Sequence, residues 1–371
     1  METNNSFNLP FYVKATIILV GLFLFVSMLY IAQDIIVPLI FSVMIAVLLY
    51  PIVNFFVRMK INRVIAIIFT LFLTILITAS LAALIFRQAS IFIDSWPVMV
   101  DKFTITFNEF THWASRYFDL NQWKVNRWIT NAKNESLTMS GAEVGKTMFV
   151  VGNGLMVMLL VPVYVFLLLY YNRLIIAFIH RVFVSSDQNQ ISKIISETKT
   201  VIQRYLAGLV IEAIIVAILN IAALFALGIE YAILLGILGA LLNVIPYIGG
   251  LVAVALPMAV ALATKDTGIY ALYVLAIYYI IQLIDNNIIV PLIVSSKVRI
   301  NALFAIIVVF AGNALWGISG MFLSIPLLAI IKVICDHIEP LKPYGFLLGD
   351  TIPTSSKISP ILKKIKKKIT E

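Results

Sequence analysis

Long apolar runs separated by short polar breaks occupy most of this chain. Six of them, Phe11–Ala32, Ile35–Val57, Val64–Phe86, Thr147–Tyr171, Ala207–Ile229 and Ile269–Ile293, have the length a bilayer-crossing helix needs, roughly 20 residues. Two further apolar stretches break at their centres. Tyr231–Ala263 is interrupted by Asn243-Val-Ile-Pro-Tyr-Ile-Gly-Gly250, and Ala302–Ile334 by Gly312-Asn-Ala-Leu-Trp-Gly-Ile-Ser-Gly320 and then by Pro326. Such breaks free backbone N–H and C=O groups, which hydrocarbon tolerates only where protein or a wet cavity satisfies them. A pair of Gly/Pro-interrupted apolar segments is the sequence pointer to a transporter's binding site. The expected fold is therefore an all-α polytopic membrane protein with about six full spans and two broken ones.

Charge in the connecting loops orients the spans. Arg58, Lys60 and Arg63 follow the second span, and Lys297 and Arg299 follow the sixth. Positive residues in short loops mark the cytoplasmic side. Placing both loops inside requires a cytoplasmic N-terminus, and puts 87–146 outside and the lysine-ended tail inside. Each broken segment then starts and ends on one side, the first opening outward and the second inward, as an inverted pair. Charge is compatible with either a re-entrant hairpin or two crossings. The halves are only about 15 residues long against roughly 20 for a span, which favours re-entrant hairpins.

The resulting organisation is residues 1–86 as three spans, 87–146 as an extracytoplasmic amphipathic insertion, 147–171 as the fourth span, 172–206 as cytoplasmic amphipathic helices, 207–334 as a transport core containing the hairpins 231–263 and 302–334, and 335–371 as a polybasic tail. In the outer insertion Phe103, Phe107, Phe110 and Tyr117 recur at helical spacing near Trp96, Trp113, Trp123 and Trp128. That face is expected on lipid or on a neighbouring subunit. In the inner one Ile191, Ile195, Ile202 and Tyr205 form one stripe, with Lys193, Lys199 and Arg204 off it.

Composition agrees with a membrane protein: 62% hydrophobic and 12% charged residues, where a soluble domain carries roughly 25% charged. The net charge of +9 sits largely in loops and tail, which suits anionic lipid rather than nucleic acid. Lys363, Lys364, Lys366, Lys367 and Lys368 are the natural lipid contact. Cys335 is the only cysteine, so no intrachain disulfide exists.

Enzyme-like chemistry is absent from the pattern. Gly141-Ala-Glu-Val-Gly-Lys-Thr147 has three residues where a phosphate-binding loop needs four between its first Gly and Gly-Lys-Thr, and Ser140 stands at the required Gly. His112, His180 and His337 have no metal-ligand spacing, and Cys335-Asp336-His337 are adjacent residues that point apart on a helix. No cofactor is expected, and transport would run on a gradient. The polar residues inside apolar segments carry the function instead, because a carboxylate within a span is costly unless paired or wetted. Glu212 lies in the fifth span, and Gln282, Asp285, Asn286 and Asn287 in the sixth. Asn243 and Asn313 sit at the two breaks, where they cap freed helix ends or meet solute. Pro246, Gly249 and Gly250 are expected to bend the first hairpin, and Gly312, Gly317 and Gly320 the second, so that the two tips approach each other.

Several of these strings resemble the autoinducer-2 exporter (AI-2E) family of bacterial transporters. They are Arg204-Tyr-Leu-Ala-Gly208, Gly228, Ala232-Ile-Leu-Leu-Gly236, Asn243-Val-Ile-Pro-Tyr-Ile-Gly249, then Gln282 with Asp285 and Pro291, and later Gly312, Trp316-Gly317, Gly320 and Ser324-Ile-Pro326. The likeness runs through nearly the whole chain and is densest from Tyr205 to Pro326. It implies a bacterial inner-membrane protein, a homo-oligomer that is pentameric in the family, inverted re-entrant hairpins, elevator-like alternating access and export of a small polar solute. Asp285 stands where family members often carry Glu, and Leu209 where many carry Gln. Within transport the rival is a sodium(cation)/proton antiporter using Asp285 and Glu212. Outside transport it is a non-transporting membrane scaffold whose hairpin breaks only serve packing.

Overall fold

The computed structural model describes residues 10–118, 160–183, 187–244, 249–265, 267–294 and 300–350, which are helical almost throughout and contain no strand. The helices are α1 (Phe11–Ile31), α2 (Gln33–Arg58), α3 (Arg63–Phe118), α4 (Leu160–Tyr170), α5 (Asn172–Val182), α6 (Gln188–Ala226), α7 (Ala232–Asn243), α8 (Gly249–Thr264), α9 (Ile269–Ile284), a π-helix (Asp285–Val294), α10 (Ala302–His337) and the short α11 (Lys342–Leu348). Six helical segments are long and apolar enough to cross a membrane, and α4 and α5 make a further pair bent by 65°. The chain is an all-α, multi-pass membrane protein. On α1 no residue is buried, and Phe11, Phe23 and Ile31 lie open. A helix that is apolar all round and uncovered by protein belongs against lipid.

Two expected boundaries are not breaks. The third span was expected to stop at Phe86, but α3 is 56 residues long and runs on to Phe118. Only Pro97 interrupts its interior, and the apolar pattern on one side persists. Beyond Phe86 it packs on the start of the first hairpin: Phe92 meets Tyr231 edge to face at 5.3 Å, and the Tyr231 hydroxyl donates to Ser95 Oγ at 2.7 Å. This part of the expected insertion therefore covers protein. Residues 119–159 lie outside the described residues, and with them the aromatic positions Trp123 and Trp128, the Gly141–Thr147 string and the start of the fourth span. The second unbroken boundary lies between Leu206 and Ala207. Asp187 caps Asn189 N–H at 2.9 Å and opens a helix that runs without interruption for 39 residues to Ala226. The amphipathic stripe and the fifth span are one element, and Gly208 beside the boundary does not interrupt it.

Both broken segments fold as helix–break–helix. The first is α7 and α8, packed side by side; residues 245–248 between them, Pro246 included, lie outside the described residues. A Cβ on Gly249 would overlap the backbone of Leu242 and Asn243, so only Gly lets α8 start against the end of α7. In the second, helical dihedrals fail at Trp316 (φ −136°, ψ 20°) and Gly317 (φ 60°, ψ −142°). The positive φ requires Gly. The chain reverses there: Ser324 Oγ donates to Val308 O at 2.7 Å, across sixteen residues that a straight helix would spread over roughly 24 Å. Gly312 and Gly320 meet backbone to backbone at the crossing.

α6 is the hub. It packs against α2, α7, α9, the π-helix and α10. Gly236 permits the closest of these approaches, since a Cβ there would stand 2.8 Å from the Ile221 nitrogen. α7 and α10 each pack on α6, while α8 packs on α3, α7 and α9. The turn of the first hairpin lies outside the described residues, and with it the expected approach of the two tips; Val244 beside that turn and Trp316 at the second break both pack against the apolar cluster that holds Tyr205 and Leu323.

Candidate functional site

The α6 face that meets α7, α9 and the π-helix carries Glu212, Val216, Asn220 and Leu224, four residues apart and all buried. Such spacing places them in one row along the helix. Two of the four are polar, which is unusual for a face that closes a core. Opposite lies the end of α9. Asp285 begins the π-helix and is 2% exposed. Pro291 supplies no N–H, and the run from Asp285 to Val294 is wound as a π-helix, a form found mostly at functional sites.

Asn243, the last residue of α7, donates from Nδ2 to Asp285 Oδ2 at 2.8 Å. An ionised carboxylate only accepts, which sets the orientation of the amide. The other oxygen, Oδ1, is buried and has no partner. Glu212, 5% exposed, lies on α6, which packs against the π-helix that Asp285 begins. The first hairpin break, the fifth span and the sixth span thus converge on one pair of carboxylates and an amide.

The seam continues along α7. A Cβ on Gly239, one turn before Asn243, would lie 3.1 Å from Asn220 Nδ2 and 3.6 Å from the Tyr278 hydroxyl, so the polar ends of both side chains come up to Gly239. Asn220 Oδ1 and the Tyr278 hydroxyl are both buried without a hydrogen-bond partner. Among the described residues three buried side-chain polar atoms lack a partner, and all three lie on this seam. An orphaned buried polar atom costs about 1–3 kcal/mol. Three on one face point to something polar that completes them.

The other expected site residues are placed as follows. Gln282 is half-buried, donates from Nε2 to Asn286 Oδ1 at 3.3 Å, and fills the space left by Gly250, whose Cβ would stand 2.5 Å from its Oε1. Asn286 is exposed and joins the site only through Gln282. Asn287 is exposed and bonds back to Leu283 O at 2.8 Å, away from Asp285. Asn313 is exposed on α10. The geometry thus brings together Glu212, Asn243, Gln282 and Asp285, with Asn286 at the edge. Asn220 and Tyr278 were missed. Their signal was present: Asn220 lies two turns beyond Glu212 on one face, and Tyr278 lies seven residues before Asp285.

A cavity of about 770 Å³ lies elsewhere, between α2, α4, α5, α6 and α10. Its walls are mainly aliphatic, with Ile176, Ile195 and Ile334 among them, and Lys199 at its edge stands 3.2 Å over the Tyr50 ring. It shares no residue with the polar seam. No group of three metal-ligating side chains occurs among the described residues.

Comparison with known proteins agrees with this architecture. The model of the AI-2E family transporters matches residues 17–339. The candidate transport protein YueF of Bacillus subtilis (strain 168) is 26% identical over 311 residues, which is 79% of this chain and 82% of YueF. The candidate permease PerM of Escherichia coli (strain K12) is 28% identical over 214 residues, 57% of this chain and 60% of PerM. The AI-2 transport protein TqsA of the same strain is 33% identical over 150 residues, 40% of this chain and 43% of TqsA. With the family model covering most of its length, the chain belongs to the AI-2E family of transporters.

Proposed function

We propose that this AI-2E family member is a secondary transporter that exports a small hydrophilic solute across the bacterial inner membrane by alternating access, with Asp285, Glu212 and Asn243 at the centre of its solute path. One observation carries the reading. Asp285 is a buried carboxylate in a membrane-spanning segment, held through one oxygen by the first hairpin's Asn243 and open at the other. An intramembrane carboxylate in that state is a functional group by default. Its partner belongs to a hairpin, so movement of α7–α8 changes the surroundings of the carboxylate, and occupancy and movement become coupled. The name of TqsA supports an AI-2-like signal as the solute.

The packing of α6, which bears Glu212, against the π-helix that Asp285 begins favours a second reading, in which the carboxylate pair takes Na⁺ or H⁺ and the protein exchanges cations for protons. Two buried carboxylates side by side are stable only if one is protonated or a cation lies between them. Vesicles reconstituted with pure protein separate the two readings. Efflux of a labelled dihydroxypentanedione-type signal supports the exporter. Quenching of a pH-sensitive dye on sodium addition supports the antiporter. Asp285→Asn keeps the shape and removes the charge; transport by this variant at the wild-type rate from pH 6 to 8 would remove Asp285 from the mechanism.

The membrane orientation and assembly belong to the same proposal. N-terminus and lysine tail face the cytoplasm, the tail rests on anionic lipid, the hairpins are inverted and re-entrant, and the protein forms a homo-oligomer, a pentamer by likeness to the family. Cys335 is buried, so cysteines introduced at Asn121 and Lys357 report on a low background. An impermeant thiol reagent applied to intact cells is expected to label the first and not the second. Native mass spectrometry in mild detergent reads the subunit number.

A further inference from the structure

We propose that Asn220 and Tyr278 form a second, uncharged station on the polar seam, one that binds a hydroxyl group. The observation is a pair of orphans. Asn220 is 2% exposed and Tyr278 7%, and the carbonyl oxygen of one and the hydroxyl of the other are unpartnered. They come from α6 and α9 and both approach Gly239 of α7, whose missing side chain leaves space at the Asn220 amide and the Tyr278 hydroxyl. Any larger residue at position 239 would press on the Asn220 amide.

The chemistry of the pair selects the ligand. Asn220 Oδ1 needs a donor, and the Tyr278 hydroxyl either donates or accepts. A hydroxyl group does both at once and completes the two atoms together. A cation fits poorly, because the station offers only neutral oxygens and the carboxylates are two helical turns away, roughly 10–12 Å along the axis. A bare charge there would be buried unpaired, the costly arrangement. Leu224 and Val274 are fully buried in the cluster that holds Tyr278 and close the far end of the seam. Val216 lies between the stations on α6 and joins Ala240 and Ile289 in a small apolar cluster. The seam therefore alternates: a charged station, an apolar layer, a neutral station, a closed end. The hydroxyl comes either from an exchangeable water or from the solute itself.

This goes beyond the proposed transport activity, and it is tested by thermal unfolding of the detergent-purified protein, which reports whether or not transport is observed. Tyr278→Phe removes one oxygen and nothing else. With the station occupied, Tyr278→Phe and Asn220→Ala each lower Tm by about 2–4 °C, and the double variant falls by less than the sum, because both lose one shared ligand. Asn220→Ser keeps an oxygen and is expected to recover part of the Asn220→Ala loss. Tm unchanged or raised by Tyr278→Phe would mean that the hydroxyl is an unoccupied orphan whose removal is harmless, and would overturn the proposal. Additive losses, or an Asn220→Ser variant no better than Asn220→Ala, would overturn it as well. Erythritol distinguishes the two sources: a rise in Tm greater for wild type than for the double variant identifies a solute hydroxyl, and an equal rise in both identifies water.

Discussion

The two broken hairpins use similar residues to opposite ends. Each has an apolar helix, a cluster of Gly and Asn, and a second apolar helix with a Pro inside it, Pro257 in α8 and Pro326 in α10. Around α10 the polar groups near the bend are satisfied locally. Ser324 donates to Val308 O and Gly320 O, and Trp316 Nε1 donates to Leu29 O of α1 at 3.1 Å. Around α7 they are not. Asn243 reaches across to Asp285, and the seam beside it holds three buried atoms without partners. Local satisfaction makes a bend rigid, whereas unmet hydrogen-bonding capacity beside a bend is chemistry held ready for a ligand. Breaker residues alone specify only that the chain turns.

The contrast can be broken most severely at the crossing of the second hairpin. Gly320→Leu would drive a side chain into the backbone of Gly312, an overpacking of about 3 kcal/mol or more, and folded protein is expected to disappear on size-exclusion chromatography. A smaller effect separates structure from function at the first hairpin. Asn243→Ala leaves Asp285 without its donor and should destabilise by about 1–3 kcal/mol while also impairing transport. Asp285→Asn should abolish transport with Tm held or raised, since it removes a carboxylate with an unpaired oxygen. Equal Tm losses in both variants would mean that Asp285 is a structural group. The smallest effects belong to the second hairpin. Ser324→Ala and Trp316→Phe each remove hydrogen bonds worth about 1 kcal/mol, and both should transport at near wild-type rate per folded molecule. Loss of transport by either would show that the second hairpin also carries solute chemistry.

The element pattern was legible in the chain because the bilayer imposes one length and one polarity on every span. Phe11–Ala32 and Ile35–Val57 were expected, and α1 and α2 run Phe11–Ile31 and Gln33–Arg58. The ends of α3 and the start of α6 were not legible. There one helix carries both an apolar and an amphipathic pattern, and neither Pro97 in α3 nor Gly208 in α6 breaks it. Among the candidate site residues, Glu212, Asn243, Gln282 and Asp285 stood out as polar groups in apolar surroundings. Asn287 stood out equally and points elsewhere, because neighbouring Asn residues spread around a helix and only one face meets the core.

Composition, charge and the placing of Gly and Pro thus determined by themselves that this chain is a helical membrane protein with two interrupted segments, since those properties follow from local backbone chemistry and from transfer into hydrocarbon. They were also enough to nominate Asp285. Which polar groups share a site was decided by the tertiary structure alone. Gly236 brings α7 onto α6, Gly239 leaves room at the polar ends of Asn220 and Tyr278, and α6 takes both α7 and α10 as neighbours. Those outcomes depend on how helices distant in sequence approach one another, and close approach is a matter of side-chain volume at a few crossing points, which no periodicity along a single helix records.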